Sequence, residues 1–538
     1  EDSVALFGER AAAQRPYAAD DVETRRTVEE VCRSLDGLPL AIELAAARPR
    51  VLPVHEIARR LEDRFALLRD PTSHLPARQT TLRAALAWSY DLLFPDDQRG
   101  LWALAAFAGG APLPAVESVL GALGVPADSG LDIVSRLVDR SLATADIGPR
   151  GPARYRLLDS VRDLALERLD EAGLADVAAG AHARWYAEAA DRAQAGLRGP
   201  GQPEHLALAR TERANLDAAL AWSADHEPDL GVRVVLGFGW AWVVLGTGVE
   251  GAHRVRAALA AATPGEAERA AGLTLCGWFE ASGGDLDRAV ADLEEAARVG
   301  DPQAAAVARL NLAFVHTQGG RPVEALALLD ACRPELERFD LVWEVGTSWL
   351  LAAWALIATG ELASGAAACD RALALLAPLG DDWALGHAEG LRGELAEAEH
   401  RYADAKAHLS RAAGSAGALG FEAAQAHHLL NLARVEEASG DGESARATLV
   451  RAIDIGRGCG DFRTVAVART RLALVLRAAG QTDAALDLAE RAVAWFASAG
   501  GGDGAALADE TLAGLRAEVA GSTSVVTSDG DRQAPVAQ

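Results

Sequence analysis

The chain has 538 residues, 24% of them charged, and a formal net charge of −25. That length accommodates about three or four domains, each with its own core, while the acidic excess argues against direct nucleic-acid binding, whose affinity comes from Lys and Arg displacing counterions from phosphates. Alanine and leucine dominate and aromatics make up 5%, which predicts a mostly α protein, because Ala and Leu lose little freedom in a helix.

Five cysteines, Cys32, Cys276, Cys332, Cys369 and Cys459, are odd in number and far apart, with none at metal-ligand spacing. A reducing, cytoplasmic setting fits that usage. The longest apolar run, at 234–245, is too short to span a bilayer, and no signal peptide opens the sequence, so no membrane association is expected. The chain begins at Glu1 and contains no methionine; a longer parent protein, with further domains upstream, is expected.

In chain order, the apolar positions Val28, Val31, Cys32 and Leu35 follow helical spacing, and Asp36-Gly37 supplies a stop. Pro39 suits the first turn of the next helix, which runs from Leu40 to Arg48. The string is GLPLAIELAAARPR. Further on come RQTTLRAALAWSYDLLFPDDQRGLWALAAFAGGAPLPAV at 78–116, LDIVSRLVDRSLA at 131–143 and RYRLLDSVRDLALERL at 154–169.

These strings resemble the STAND class of signalling ATPases, the NB-ARC-containing regulators. By that resemblance residues 1–75 are the helical subdomain of a nucleotide switch whose phosphate-binding part is missing, with Gly37, Leu38, Pro39 and Leu40 as its nucleotide-contacting GLPL motif. Residues 76–175 resemble the family's winged-helix subdomain. Two departures matter. No GxxxxGK[ST] loop occurs, so the backbone cradle and lysine that hold phosphates are absent from this chain. Where many relatives carry Met-His-Asp, the chain has Leu157, Leu158 and Asp159, without the histidine. Residues 80–170 hold nine Arg against twelve Asp or Glu, too acidic for a groove-reading surface; an intramolecular switch piece is the reading.

Residues 176–231 carry two further helical patterns around the turn-rich GPGQPE at 199–204 and are expected to link the switch to an array of repeats at 232–520. There helix breaks recur at Gly246, Gly284, Gly320, Gly360, His400, Gly440 and Gly480. Seven residues before each break the side chain is small, as at Gly277, Ala313 and Gly393, and so it is five and twelve after, as at Ala405, Ala445 and Ala412. Nine after, it is larger in most repeats, as at Leu293, Leu329 and Leu409. This is the tetratricopeptide pattern stretched beyond its usual length, and it predicts an α-solenoid of helix pairs that approach closely where side chains are small. After 521 the Ser/Thr/Asp/Pro/Gln-rich tail to 538 has too few apolar residues to fold and is expected to be disordered.

Six residues before each break lies the helix position that faces the groove in tetratricopeptide arrays: Trp240, Trp278, Phe314, Trp354, Glu394, Arg434 and Leu474. Four aromatics followed by two charges predict a groove that is apolar in its first half and mixed in its second, suited to a protein or small-molecule effector. The competing reading is that the rings only fill space between neighbouring helices.

No catalytic or metal site is expected. His55-Glu56 opens an HExxH-like string, but position 59 is Arg, so the second zinc ligand is missing. His400, His408, His427 and His428 recur through repeat geometry rather than ligand spacing. The resemblance implies a non-enzymatic regulatory fragment of a SARP-type or LuxR-type STAND transcriptional regulator. It needs no cofactor itself, with ATP or ADP expected for the full-length protein. DNA contact is expected through a missing upstream domain, and nucleotide-dependent self-association is implied. The alternatives are a tetratricopeptide scaffold or adaptor without nucleotide switching, and an effector enzyme fused upstream.

Overall fold

The computed structural model describes residues 2–12, 22–34, 53–59, 93–140, 142–148, 152–246, 248–498 and 504–529, with a few isolated positions between them. The GLPL residues, Gly37 to Leu40, lie outside the described residues. The chain divides into two compact units: residues 1–188 with 212–226, and residues 189–211 with 227–538.

The first unit contains helices α1 (Asp2–Ala12), α2 (Val22–Ser34), α3 (Val54–Arg59), α4 (Pro95–Ala105), α5 (Leu113–Ala122), α6 (Gly130–Asp139) and α7 (Asp159–Glu171). Three short strands, β1 (Ala111–Pro112), β2 (Ala143–Asp146) and β3 (Arg154–Leu157), form an antiparallel sheet in the order β1-β3-β2. Ala111 faces Tyr155 and Ala143 faces Leu157 in that register. Pro95 starts α4 where its missing N–H costs nothing, and Asp96 and Asp97 complement the positive helix end. Asp97 is fully buried and accepts hydrogen bonds from Arg136 Nε at 2.9 Å and Nη2 at 2.6 Å, tying α4 to α6. Around that pair Leu101, Leu104, Val116, Leu120, Ile133 and Leu137 form the core. Leu157 ends β3 and Asp159 opens α7.

The stretch at 176–231 is not a separate linker. Helix α8 (Ala175–Gly196) begins in the first unit and ends in the second, α9 (Gln202–Thr211) belongs to the second, and α10 (Arg213–His226) to the first. The cause is packing that composition does not reveal: Tyr186 of α8 and Asn215 of α10 are buried with Phe107 in the first unit's core.

In the second unit, α11 (Pro228–Val244) to α24 (Thr482–Ser498) form seven antiparallel pairs among the described residues. The pairs are α11 with α12 (Gly248–Ala261), α13 (Glu266–Gly283) with α14 (Leu286–Val299), α15 (Pro302–Gln318) with α16 (Pro322–Arg338), α17 (Val342–Ala358) with α18 (Leu362–Leu376), α19 (Asp382–Ala398) with α20 (Tyr402–Leu419), α21 (Glu422–Ala438) with α22 (Gly442–Cys459), and α23 (Phe462–Ala478) with α24. Every predicted break has positive φ, including +60° at His400, the one break without glycine. The left-handed turn satisfies the orphan carbonyls at each helix end. Small positions receive large ones: a Cβ on Gly277 would lie 2.6 Å from Leu293 Cγ, and one on Gly393 2.6 Å from Leu409 Cγ.

Ala405 and Ala445 are completely buried at the equivalent position of two successive pairs. Ala405→Leu or Ala445→Leu is expected to destabilise the array by roughly 1–3 kcal/mol through overpacking. Thermal denaturation checks this, and an unchanged melting temperature in both variants would contradict the register.

Helix α18 together with the turn to Leu379 is long and apolar enough to cross a membrane by length and composition. Here it is the second helix of the fourth pair and buries Gly365, Ala368, Cys369, Ala372 and Leu376. Helix α25 (Ala505–Asp529) follows the last pair and contacts α23 and α24. It continues into the tail expected to be disordered from 521, since extending an existing helix costs far less than nucleating one; residues 530–538 lie outside the described residues.

Candidate functional site

First helices of successive pairs touch one another, as α13 does α15 and α15 does α17. The array therefore curves toward their side, and the inner face is built from them. The positions six residues before each break come together on this face in two stretches of different chemistry.

In the first stretch Trp278 stacks on Phe314 at 4.0 Å between centroids, Phe314 meets Trp354 at 6.1 Å, and Trp240 meets Trp278 edge-on at 5.5 Å. Trp278 Nε1 donates to Asn311. Trp240 also reaches Trp343 at 5.3 Å and Trp383 at 5.0 Å, several pairs further along the array. The inner face is thus wound tightly enough for its first helix to meet the starts of α17 and α19. Trp240 is 7% exposed and Trp383 6%, so packing accounts for these two rings, and their buried indole N–H groups have no hydrogen-bond partner among the described residues. Trp278, Phe314 and Trp354 keep partly open faces.

In the second stretch the ladder is polar. Asn431 donates to Glu394 at 3.1 Å, Arg434 pairs with Glu397 at 2.6 Å, and Arg471 pairs with Glu437 at 3.3 Å. Leu474, on α23, stands at the equivalent position of the last pair. Between the stretches, His387 lies 4.4 Å from Trp383 and 6.0 Å from His428. Burial holds His387 down to about 4, helped by the His427 charge, and holds His428 well below the usual imidazole range. Burial raises Glu394 to about 7 against the opposing pull of Arg434, with Glu397 adding to the rise. His408 contacts Glu389 at 2.8 Å and His400 contacts Tyr402 at 3.1 Å, so the histidines singled out from sequence do not converge on one point.

Glu394 therefore makes stability depend on pH. Its folded form holds a proton more tightly than the unfolded chain, so the contribution is full below about 4.5 and is lost as pH rises through about 7. Glu394→Gln is expected to gain stability relative to the parent on going from pH 5 to pH 8. Melting temperatures of both proteins at the two pH values test it, and a constant difference would contradict it.

Sequence reading missed Trp343 and Trp383. The available signal was that both stand seventeen residues before a break, in adjacent pairs. It also missed the segment at 197–211, which lies across the turns that open α17, α19 and α21. Arg198 pairs with Glu344, and its guanidinium carbon sits 4.1 Å from the Trp343 ring centroid and 5.6 Å from that of Trp240. Gln202 is fully buried. Its Nε2 donates to Asp381 at 3.0 Å and to the Leu197 carbonyl at 2.8 Å, and its Oε1 accepts from the Trp383 N–H at 2.9 Å. Arg210 donates to the Leu419 carbonyl at 3.1 Å.

Residues 422–498 match the tetratricopeptide-repeat family model. Over 229 residues, 42% of the chain, the sequence is 42% identical to a Mycobacterium tuberculosis protein named for an inferred HTH-type transcriptional-regulator role, covering 25% of that protein. It is 27% identical over 483 residues to the regulatory protein AfsR of Streptomyces griseus, covering 85% of this chain and 40% of AfsR. A STAND protein with a tetratricopeptide repeat sensor from Pyrococcus horikoshii is similar at 13% identity and a TM-score of 0.48, over 89% of this chain and 69% of that one. The chain spans about a quarter of the length of the mycobacterial relative and two fifths of AfsR. The described residues are mostly helical, residues 422–498 carry tetratricopeptide repeats, and the chain is similar in sequence to HTH-type and AfsR-type regulatory proteins.

Proposed function

We propose that the chain is the sensor-bearing, regulatory part of a STAND-type transcriptional regulator, in which a protein or small-molecule effector on the inner face of the repeats biases a nucleotide-controlled switch. The observation that carries this reading is the ladder Trp278, Phe314 and Trp354, three partly open rings in register on successive first helices. Rigid rings on a concave face give contact area at low entropic cost.

The order of helices and strands from Pro95 to Glu171 supports a winged-helix subdomain for the switch. The string Gly37, Leu38, Pro39, Leu40 supports a helical subdomain touching nucleotide, with phosphate contacts supplied elsewhere in the parent protein. ATP and ADP are proposed for that parent. DNA binding through another domain, nucleotide-dependent self-association and a cytoplasmic setting belong to the same proposal.

In the full-length regulator, Trp278→Ala with Trp354→Ala is expected to weaken the effector response at least about tenfold, as the loss of two aromatic anchors does, with helical circular dichroism retained. A full response, or unfolding of the variant, would remove the reading. A response that ignores ATP and ADP altogether would favour a tetratricopeptide adaptor without a switch.

A further inference from the structure

The segment at 197–211 treats the repeat array as a peptide treats its receptor. Its side chains engage three successive inter-pair turns in order: Arg198 at Glu344, Gln202 at Asp381 and Trp383, Arg210 at Leu419. These partners lie 146 to 209 residues away in sequence. The turns are shaped to receive it. Gly380 and Gly420 have φ of +67° and +72°; a Cβ on Gly380 would lie 3.1 Å from Pro200, and one on Gly420 would lie 2.1 Å from Arg210 Nη2. Asp381 is fully buried and accepts from Gln202, from Trp343 Nε1 and from the Ala384 N–H that it caps.

We propose that Trp240, Trp343, Glu344, Asp381 and Trp383 form a recognition site for an arginine-bearing peptide with glutamine four residues later, and that residues 197–211 occupy it in cis as a tethered pseudo-ligand. The chemistry names the occupant. A guanidinium fits between two indole rings and a carboxylate, and a primary amide satisfies a buried carboxylate and a backbone N–H together. In sequence this segment lies between two stretches of the first unit, ending at Glu188 and resuming at Glu212. A partner peptide that displaces it frees a chain that runs directly into the first unit at Glu212. The inference rests on the reading of the repeats as a partner-binding array and gives that array a ligand class.

The test uses the chain carrying Arg198→Ala and Gln202→Ala, with a labelled peptide of sequence GLRGPGQPE followed by fluorescence anisotropy. Tethering gives the cis segment an effective concentration in the millimolar range, so the variant is expected to bind the peptide at least about tenfold more tightly than the unaltered chain. Changing the peptide's arginine to alanine, or adding Glu344→Gln to the chain, should cost about tenfold or more. Equal binding by variant and unaltered chain, or indifference to the arginine, overturns the proposal. If the variant does not fold, hydrogen exchange of the unaltered chain with excess peptide decides: amides at 197–211 should lose protection, and unchanged exchange overturns the proposal. Absence of peptide binding alongside an effector response that depends on Trp278 and Trp354 sinks this site and leaves the sensor reading standing.

Discussion

Glu212→Ala is expected to destabilise the first unit by about 3–5 kcal/mol, the cost of removing one partner from a buried ion pair. Glu212 is 1% exposed at the head of α10. It pairs with Arg154 on β3, accepts from the Tyr186 hydroxyl of α8 at 2.7 Å, and accepts from Asn215 Nδ2 at 2.6 Å. The same Arg154 donates to the Gly110 carbonyl at 2.9 Å, and Asn215 Oδ1 accepts from the Ala108 N–H at 2.7 Å. One carboxylate therefore joins the central strand of the sheet, a loop and two helices. Burial first, then the Glu212 charge, raise the Tyr186 hydroxyl, so it donates as a neutral group throughout the working pH range. Glu212→Gln keeps the shape but turns an N–H₂ toward donors; its loss should fall between those of the parent and the alanine variant. Denaturant midpoints for the first unit check the order, and a loss under about 1 kcal/mol for alanine would mean that water replaces the carboxylate at little cost.

The array was legible because its geometry repeats locally. A left-handed residue at each helix break needs glycine, and a close approach of two helices needs a small side chain, so both features print themselves at fixed spacing. The second series of turns was less legible. Asp340, Gly380, Gly420 and Gly460 also have positive φ, but Asp340 carries a side chain and Gly300 has an extended backbone at the corresponding place, with φ −73°. The inner-face residues could be located by counting from a break, as Trp240, Trp278, Phe314, Trp354, Glu394 and Arg434 were. Their partners could not. Trp240 meets Trp383 only because the superhelix closes through several pairs, and Arg198 meets Glu344 across 146 residues. No local period encodes such contacts, and the composition of GPGQPE reads equally well as a free turn. The division of 176–231 between two units was not legible for the same reason: it depends on Tyr186 and Asn215 meeting Phe107 and Gly110, outside that stretch.

Gly237→Leu is expected to be among the most damaging single changes in the second unit, with a loss of about 3 kcal/mol or more. Gly237 lies in α11, where helix propensity alone favours replacing it: alanine gains up to about 1 kcal/mol over glycine inside a helix. Packing reverses the sign. A Cβ at 237 would lie 2.4 Å from the Ala190 carbonyl oxygen, 2.5 Å from its carbon and 2.6 Å from its Cβ. Two of those atoms are backbone, so no rotamer change relieves the overlap, and the C-terminal part of α8 must separate from α11. Ala190 and Phe238 are both fully buried there, so separation also opens an apolar contact to water. Gly237→Ala should already lose stability, against its propensity gain. Gly414 is the control: it is an exposed interior residue of α20 where an added Cβ would meet nothing within 4 Å, so Gly414→Ala should stabilise by roughly 0.5–1 kcal/mol. Because α8 runs directly into the segment at 197–211, the damage at Gly237 should extend to that segment. Hydrogen exchange would show this as lost protection at Gln202 and Arg210 before the array itself unfolds; both glycine variants changing stability in the same direction would show that propensity, not the helix contact, governs position 237.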